Sequence, residues 1–175
     1  MIPIQNIYYM LSYAFQVLNE QGYKSVATEH FENVADLCAA ILIKGLSKQL
    51  KRGLMKDYIP KREPLTALRG KMEISETLKT NSIIKRQVVC SYDEFSENAY
   101  MNRIIKTTML RLMVADVDKS RKKEIEKTVG VLGRMLSRCR FTSINWNLRY
   151  DRNNQTYRML VSICLFGFVR ALFAN

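Results

Sequence analysis

A chain of 175 residues that is 47% hydrophobic has the length of one domain and the apolar material for a core, which excludes a compositionally disordered protein. Its 28 Lys and Arg against 16 Asp and Glu give a net charge of +12, a balance that suits an acidic partner such as nucleic acid or an acidic protein surface. The four cysteines, Cys38, Cys90, Cys139 and Cys164, contain no C-x-x-C pair, and Met1 runs straight into an amphipathic segment without a signal-peptide pattern, so buried free thiols in a reducing, cytoplasmic compartment are expected.

Pro3 fits the first turn of a helix, and Ile4, Ile7, Tyr8, Leu11, Phe15 and Leu18 follow at helical spacing up to Gln21-Gly22. A second helix is predicted from a cap at Thr28, with Phe31, Val34, Cys38, Ile41, Leu42 and Leu46 as its buried stripe and Gly53 ending it. From residue 54 to 95 the texture changes to short runs punctuated by Pro60, Pro64 and Gly70. These predict strands near 54–59, 67–74 and 86–93, with one short helix over 76–80 capped by Ser75. Ser96 or Asn98 caps a long helix whose inner face is Met101, Ile104, Ile105, Thr108, Leu112 and Ala115. Asp118 or Ser120 starts another, with Ile125, Val129, Leu132 and Leu136 inward. An extended piece near 140–144 and a turn at Asp151-Arg152-Asn153-Asn154 lead into a last helix. That helix is apolar nearly all round from Met159 to Phe173, too short for a membrane span and interrupted by Arg170, so a buried helix or a face for a further domain is expected.

The fold class that follows is α+β: two N-terminal helices, a small antiparallel sheet or partial barrel, then a three-helix C-terminal part. We read residues 1–175 as a single domain, helical over 1–53, strand-rich over 54–95 and helical over 96–175. Charge follows these divisions unevenly. Residues 44–86 carry 12 basic and 4 acidic residues, and residues 103–158 carry 14 and 5, which looks like two basic surfaces with separate uses.

Several chemistries are missing from the sequence. No lysine has Asp or Glu two positions before it, the local pattern of a Mg²⁺-dependent nuclease strand, so no catalytic and no metal residue is assigned. Glu124-Ile125-Glu126-Lys127 has the wrong spacing and lies on a predicted helix. The lone His30 has no second histidine or cysteine pair nearby, and no glycine-rich loop runs into Lys-Ser or Lys-Thr.

Two groups of residues are candidates for binding or for structure. Lys51, Arg52, Lys56, Lys61, Arg62, Arg69 and Lys71, with Tyr58 among them, have the residue types that hold phosphates and stack a base. The same residues also suit a charged hairpin edge guarded against edge-to-edge pairing, or contact with an acidic or nucleotide-bearing surface of a protein partner. Asp93 and Glu94 leave a strand for a helix cap, where they favour the helix dipole. Asn102 is placed to bind backbone from the strand layer and Arg103 to pair with Asp93 or Glu94, a structural clamp joining sheet to helix.

Five ordered phrases carry a family resemblance. They are Ile2-Pro3-Ile4-Gln5-Asn6-Ile7-Tyr8-Tyr9-Met10-Leu11-Ser12-Tyr13-Ala14-Phe15, Lys51-Arg52-Gly53-Leu54, Leu68-Arg69-Gly70-Lys71-Met72, Tyr92-Asp93-Glu94-Phe95 and Asn102-Arg103-Ile104-Ile105-Lys106. Together they resemble the N-terminal half of the McrC family, the nuclease subunit of the 5-methylcytosine restriction system McrBC, with the chain stopping at Asn175 where the nuclease half would begin. The resemblance implies docking into a McrB-like AAA+ GTPase hexamer and stimulation of its GTP hydrolysis, with no catalytic role for this part alone. It also implies that GTP and Mg²⁺ belong to the partner ring, that no cofactor belongs to this chain, and that a C-terminal nuclease domain accompanies the full-length relative. Segment 51–95 is the ring-facing candidate. A stand-alone basic nucleic-acid-binding domain, with DNA as partner, is the alternative, and a small nuclease is a third reading that the failed metal-site pattern disfavours. No membrane partner is expected.

Overall fold

The computed structural model describes Phe31, residues 33–133 and residues 135–173. The expected first helix, the Thr28 cap and His30 lie outside the described residues. Two compact units emerge. The described residues up to Met55 and from Tyr100 onward form a helical unit, and Lys56–Ala99 form a strand-rich unit.

Helix α1 (Val34–Arg52) is the hub of the helical unit and packs on each of its other helices. It starts at Asn33, whose Oδ1 accepts the Asp36 N–H at 2.9 Å. Its stripe Cys38, Ile41, Leu42 and Leu46 is buried as the spacing predicts, but Ala39, Ala40 and Ile43 are buried too, because α1 is enclosed on several sides. Gly53 ends it at φ +94, a conformation costly for any side chain.

Helix α2 (Ile74–Lys79) belongs to the strand-rich unit. Helix α3 (Tyr100–Leu112) buries Met101, Ile104, Ile105, Thr108 and Leu112 of the expected face, together with Met109, while Ala115, expected on the same face, lies past the helix end and is half-buried. Helix α4 (Lys119–Gly133) is entered through Asp118, which accepts the Ser120 N–H at 2.7 Å, and buries Ile125 and Leu132. The two entrances are tied together: buried Asp36 accepts the Asp118 N–H at 3.0 Å and forms an ion pair with Arg121. At the other end of α4, the buried Lys106 ammonium donates to the Leu136 carbonyl, and burial holds its pKa below the ordinary lysine value, with nearby Arg138 adding to the effect.

Where an extended piece was expected near 140–144, a 3₁₀ turn spans Phe141–Ser143. Beyond it burial alternates. Ile144, Trp146, Leu148 and Tyr150 pack against the core, while Asn145, Asn147 and Arg149 face out. Asp151 then closes a capping box with Asn154, and α5 (Gln155–Phe173) follows, burying Met159, Leu160, Val161, Ile163 and Cys164.

The strand-rich unit is a three-stranded antiparallel sheet in the order β1-β3-β2. Strand β1 (Asp57–Leu65) pairs with β3 (Val88–Ser96) from Asp57 opposite Ser96 to Leu65 opposite Val88. Strand β2 (Lys71–Met72) faces Ser91 and Cys90. The expected strand 67–74 is thus cut to two residues, because Gly70 turns at φ +67 and helix α2 (Ile74–Lys79) begins directly after Glu73. Glu73, not Ser75, occupies the start of α2. Pro60 and Pro64 lie inside β1 and do not break it: β1 is an edge strand, and residues four apart share one phase of the ladder, so both missing N–H groups fall on the outer side. The Tyr92–Phe95 phrase likewise sits within β3, opposite β1, and does not enter a helix cap.

Candidate functional site

The sheet brings most of the basic candidates together and gives nearly every one an acidic or aromatic partner. Lys61 on β1 reaches Glu94 on β3 at 2.6 Å, and that contact raises the lysine pKa. Arg62 and Lys71 lie on either side of Glu73, each at 3.7 Å. The Ser91 hydroxyl donates to the same carboxylate at 2.6 Å, and with the two cations it holds the Glu73 pKa below the usual glutamate value. Arg69 lies over the Tyr92 ring, 4.0 Å from its centre, while the Tyr92 hydroxyl donates to Glu63, which raises the phenol pKa. Lys56 is 3.7 Å from Glu97 and 6.0 Å from the centre of the Phe95 ring. Tyr58 stands across from Phe95, ring centres 5.0 Å apart. Lys51 and Arg52 are in the exposed last turn of α1, within the other unit.

Folding therefore cancels much of the basic block. The acidic residues of β3, distant in sequence, face the cations of β1, so Lys56–Ala99 hold eight Lys and Arg against seven Asp and Glu. What this unit does expose is apolar. Its buried apolar residues are only Val89, Cys90 and Ala99, whereas Tyr58, Leu68, Met72, Ile74, Leu78, Ile83, Ile84 and Phe95 are exposed, Ile84 to 82%. Ile74 and Leu78 are four apart on α2, and Ile83 and Ile84 lie on the 3₁₀ turn Ser82–Lys85 that packs beside it. A soluble surface seldom shows so many large apolar groups over so short a stretch without a partner.

The clamp residues divide between the units. Buried Asn102 donates its amide to the Met55 carbonyl at 2.8 Å, and the Tyr157 hydroxyl accepts the Met55 N–H at 2.9 Å. The last backbone unit before the strand-rich segment is thereby held from both sides by α3 and α5. Tyr157 carries no motif and was missed in the sequence. Arg103 stands 6.0 Å from the centre of the Tyr100 ring, Glu94 is engaged by Lys61, and Asp93 is exposed on β3.

Among the described residues, no group of three His, Cys, Asp or Glu side chains is placed to hold a metal ion, and no helix is long and apolar enough to cross a membrane. All four cysteines are free thiols. Cys38, Cys90 and Cys164 are buried, and burial pushes the Cys164 pKa up to about 12.

The family model described as "McrBC 5-methylcytosine restriction system component" matches residues 4–168. The type IV methyl-directed restriction enzyme EcoKMcrBC of Escherichia coli K12 is 28% identical over 170 residues, covering 94% of this chain and 48% of that protein. This chain thus spans about half the length of the curated relative it matches. Among solved structures, the Thermococcus gammatolerans McrBC complex aligns with a TM-score of 0.59 at 15% identity, over 99% of this chain and 58% of that one. A half-complex of T. gammatolerans McrB AAA+ hexamers with bound McrC aligns with a TM-score of 0.59 at 14% identity, over 87% and 39%. At these identities the two structures speak to the fold.

Proposed function

The chain belongs to the McrBC 5-methylcytosine restriction system component family, and from that premise we propose that it is the docking part of a McrC-like subunit, engaging a McrB-type AAA+ hexamer and stimulating GTP hydrolysis. The observation that carries this reading is the match over residues 4–168, together with a fold shared with a McrC that is bound to McrB hexamers. The strand-rich unit supplies the surface: a nearly neutral sheet and short helix with eight exposed large apolar side chains and little core of their own. In this reading segment 51–95 faces the ring. Ile74, Leu78, Ile83 and Ile84 provide apolar contact, Lys56, Tyr58, Lys61, Arg62, Arg69 and Lys71 of the same unit set register and orientation, and Lys51 and Arg52 add charge from the helical unit. Asn102 and Tyr157 fix the point where the chain leaves the helical unit.

The cleavage chemistry, by the same reading, belongs to residues outside this chain, and GTP and Mg²⁺ belong to the ring, all in the cytoplasm. Mixing the folded chain with its cognate McrB should give co-elution and faster GTP turnover. Replacing Leu78 and Ile84 by Ser should remove both while leaving the fold intact. Folded protein that neither binds nor stimulates the ring would refute the proposal.

A further inference from the structure

Within the helical unit, the segment from Arg138 to Arg158 is strongly basic. It holds five arginines, Arg138, Arg140, Arg149, Arg152 and Arg158, against one carboxylate, Asp151. That carboxylate is already engaged, accepting the N–H groups of Asn153 at 2.9 Å and Asn154 at 3.0 Å. Arg138, Arg140, Arg149 and Arg152 are exposed, and among the described residues none has a carboxylate partner. The contrast with Lys61, Arg62 and Lys71, each within 3.7 Å of a glutamate, is one of design and not of composition.

The segment is also pinned. Ile144, Trp146, Leu148 and Tyr150 pack against the helical core, and the Asn145 N–H donates to the Tyr100 hydroxyl at 2.8 Å. Its outward side presents Asn145, Asn147 and Arg149. Arginines and side-chain amides on a fixed backbone are the donors that hold phosphate oxygens. Trp146 and Tyr150 pack against the core and Tyr157 is buried, so these rings offer no platform on which unpaired bases can stack.

We infer that this arginine strap is a binding surface for the sugar–phosphate backbone of a nucleic-acid duplex, independent of base sequence. The strap lies in the helical unit and the apolar docking residues Ile74, Leu78, Ile83 and Ile84 in the strand-rich unit, so each can fail without the other.

The test is binding of the purified chain to a labelled DNA duplex, followed by fluorescence anisotropy across a salt series. Four phosphate contacts give a slope of log K against log salt of about −3.6, so a fourfold rise in salt weakens binding about 150-fold. In the double variant Arg149→Gln, Arg152→Gln the slope falls to about −1.8 and the same rise costs about 12-fold. The double variant Arg149→Lys, Arg152→Lys keeps the charge and retains the steeper slope. Lys61→Gln with Arg62→Gln, in the strand-rich unit, leaves the slope unchanged. Circular dichroism and thermal melting verify that each variant is folded. The inference is overturned by undetectable binding at the lowest salt, by an unchanged slope in the Arg→Gln pair, by an equal loss from the Lys61 and Arg62 pair, or by tighter binding of a single strand than of the duplex.

Discussion

The helical unit encloses a large apolar core and leaves the four arginines of the strap without carboxylates; the strand-rich unit pairs most of its cations and leaves most of its large apolar side chains outside. Leu42, Ile104, Ile105, Met109 and Leu160 are each 0% exposed in the first, whereas Ile74, Leu78 and Ile84 are 64%, 59% and 82% exposed in the second. One unit therefore has a large apolar core, and the other leaves large apolar side chains in water. The difference shows why net charge is a poor guide to where a chain meets a polyanion. The acids of β3 meet the cations of β1, whereas Arg138, Arg140, Arg149 and Arg152 keep no carboxylate partner among the described residues.

The comparison can be broken most forcefully at Leu42. Leu42→Ala empties a fully enclosed site on α1 and should cost about 2–5 kcal/mol of stability, read by urea denaturation. Next in size is Gly70→Ala. Gly70 has φ +67, and a Cβ there would lie 2.4 Å from the Ser91 carbonyl oxygen and 2.7 Å from the Tyr92 Cβ. Such a site cannot take a side chain without moving β2 off β3, at a cost of about 1–3 kcal/mol. Native-state hydrogen exchange should show faster exchange of amides within Lys56–Ala99 and none of that acceleration in α1, α3 or α5. Uniform acceleration would mean that the two units open as one. Smaller still is Ile84→Ser, which should change stability by no more than about 0.5 kcal/mol, because the side chain is already in water. Its effect should appear in partner binding.

Much of this contrast could be read in advance, and its limits are physical. The helical stripes were legible because burial repeats at helical spacing: Cys38, Ile41, Leu42 and Leu46 on α1, and Ile104, Ile105 and Leu112 on α3, lie where the periodicity puts them. The Asp151 turn was legible from its residues. Strand limits were not, since Pro60 and Pro64 look like breaks until β1 is known to be an edge. The state of the basic candidates was equally hidden. The pairing of Lys61 with Glu94 spans the sheet, and no local pattern says that β3 returns its acids to β1. Tyr157 carries no local signal, because its hydrogen bond to Met55 joins residues far apart in sequence.

The finest distinction between the units lies in their acid titration. Glu73 and Asp118 both have pKa values below those of their unperturbed side chains, for related reasons. Glu73 is held down first by the Ser91 hydroxyl, then by Lys71 and Arg62; Asp118 is held down first by the Ser120 side chain, then by backbone N–H groups and Arg121. A carboxylate with a depressed folded pKa contributes stability that is complete above its unfolded pKa and disappears as pH falls through the folded value. Acid should therefore weaken the junction of β2 and β3 and the entrance to α4 alike, both below the usual carboxylate range. Salt separates them. Two exposed cations act on Glu73, and their attraction is screened by added salt, so the Glu73 pKa should rise toward 4.5 more than that of Asp118, whose main support is hydrogen bonding. Carboxyl carbon shifts followed by NMR, at low and high salt, measure both groups in one sample. Equal salt shifts would show that Lys71 and Arg62 contribute little to holding the Glu73 charge, and that the cation pairing of the strand-rich unit is geometric more than energetic.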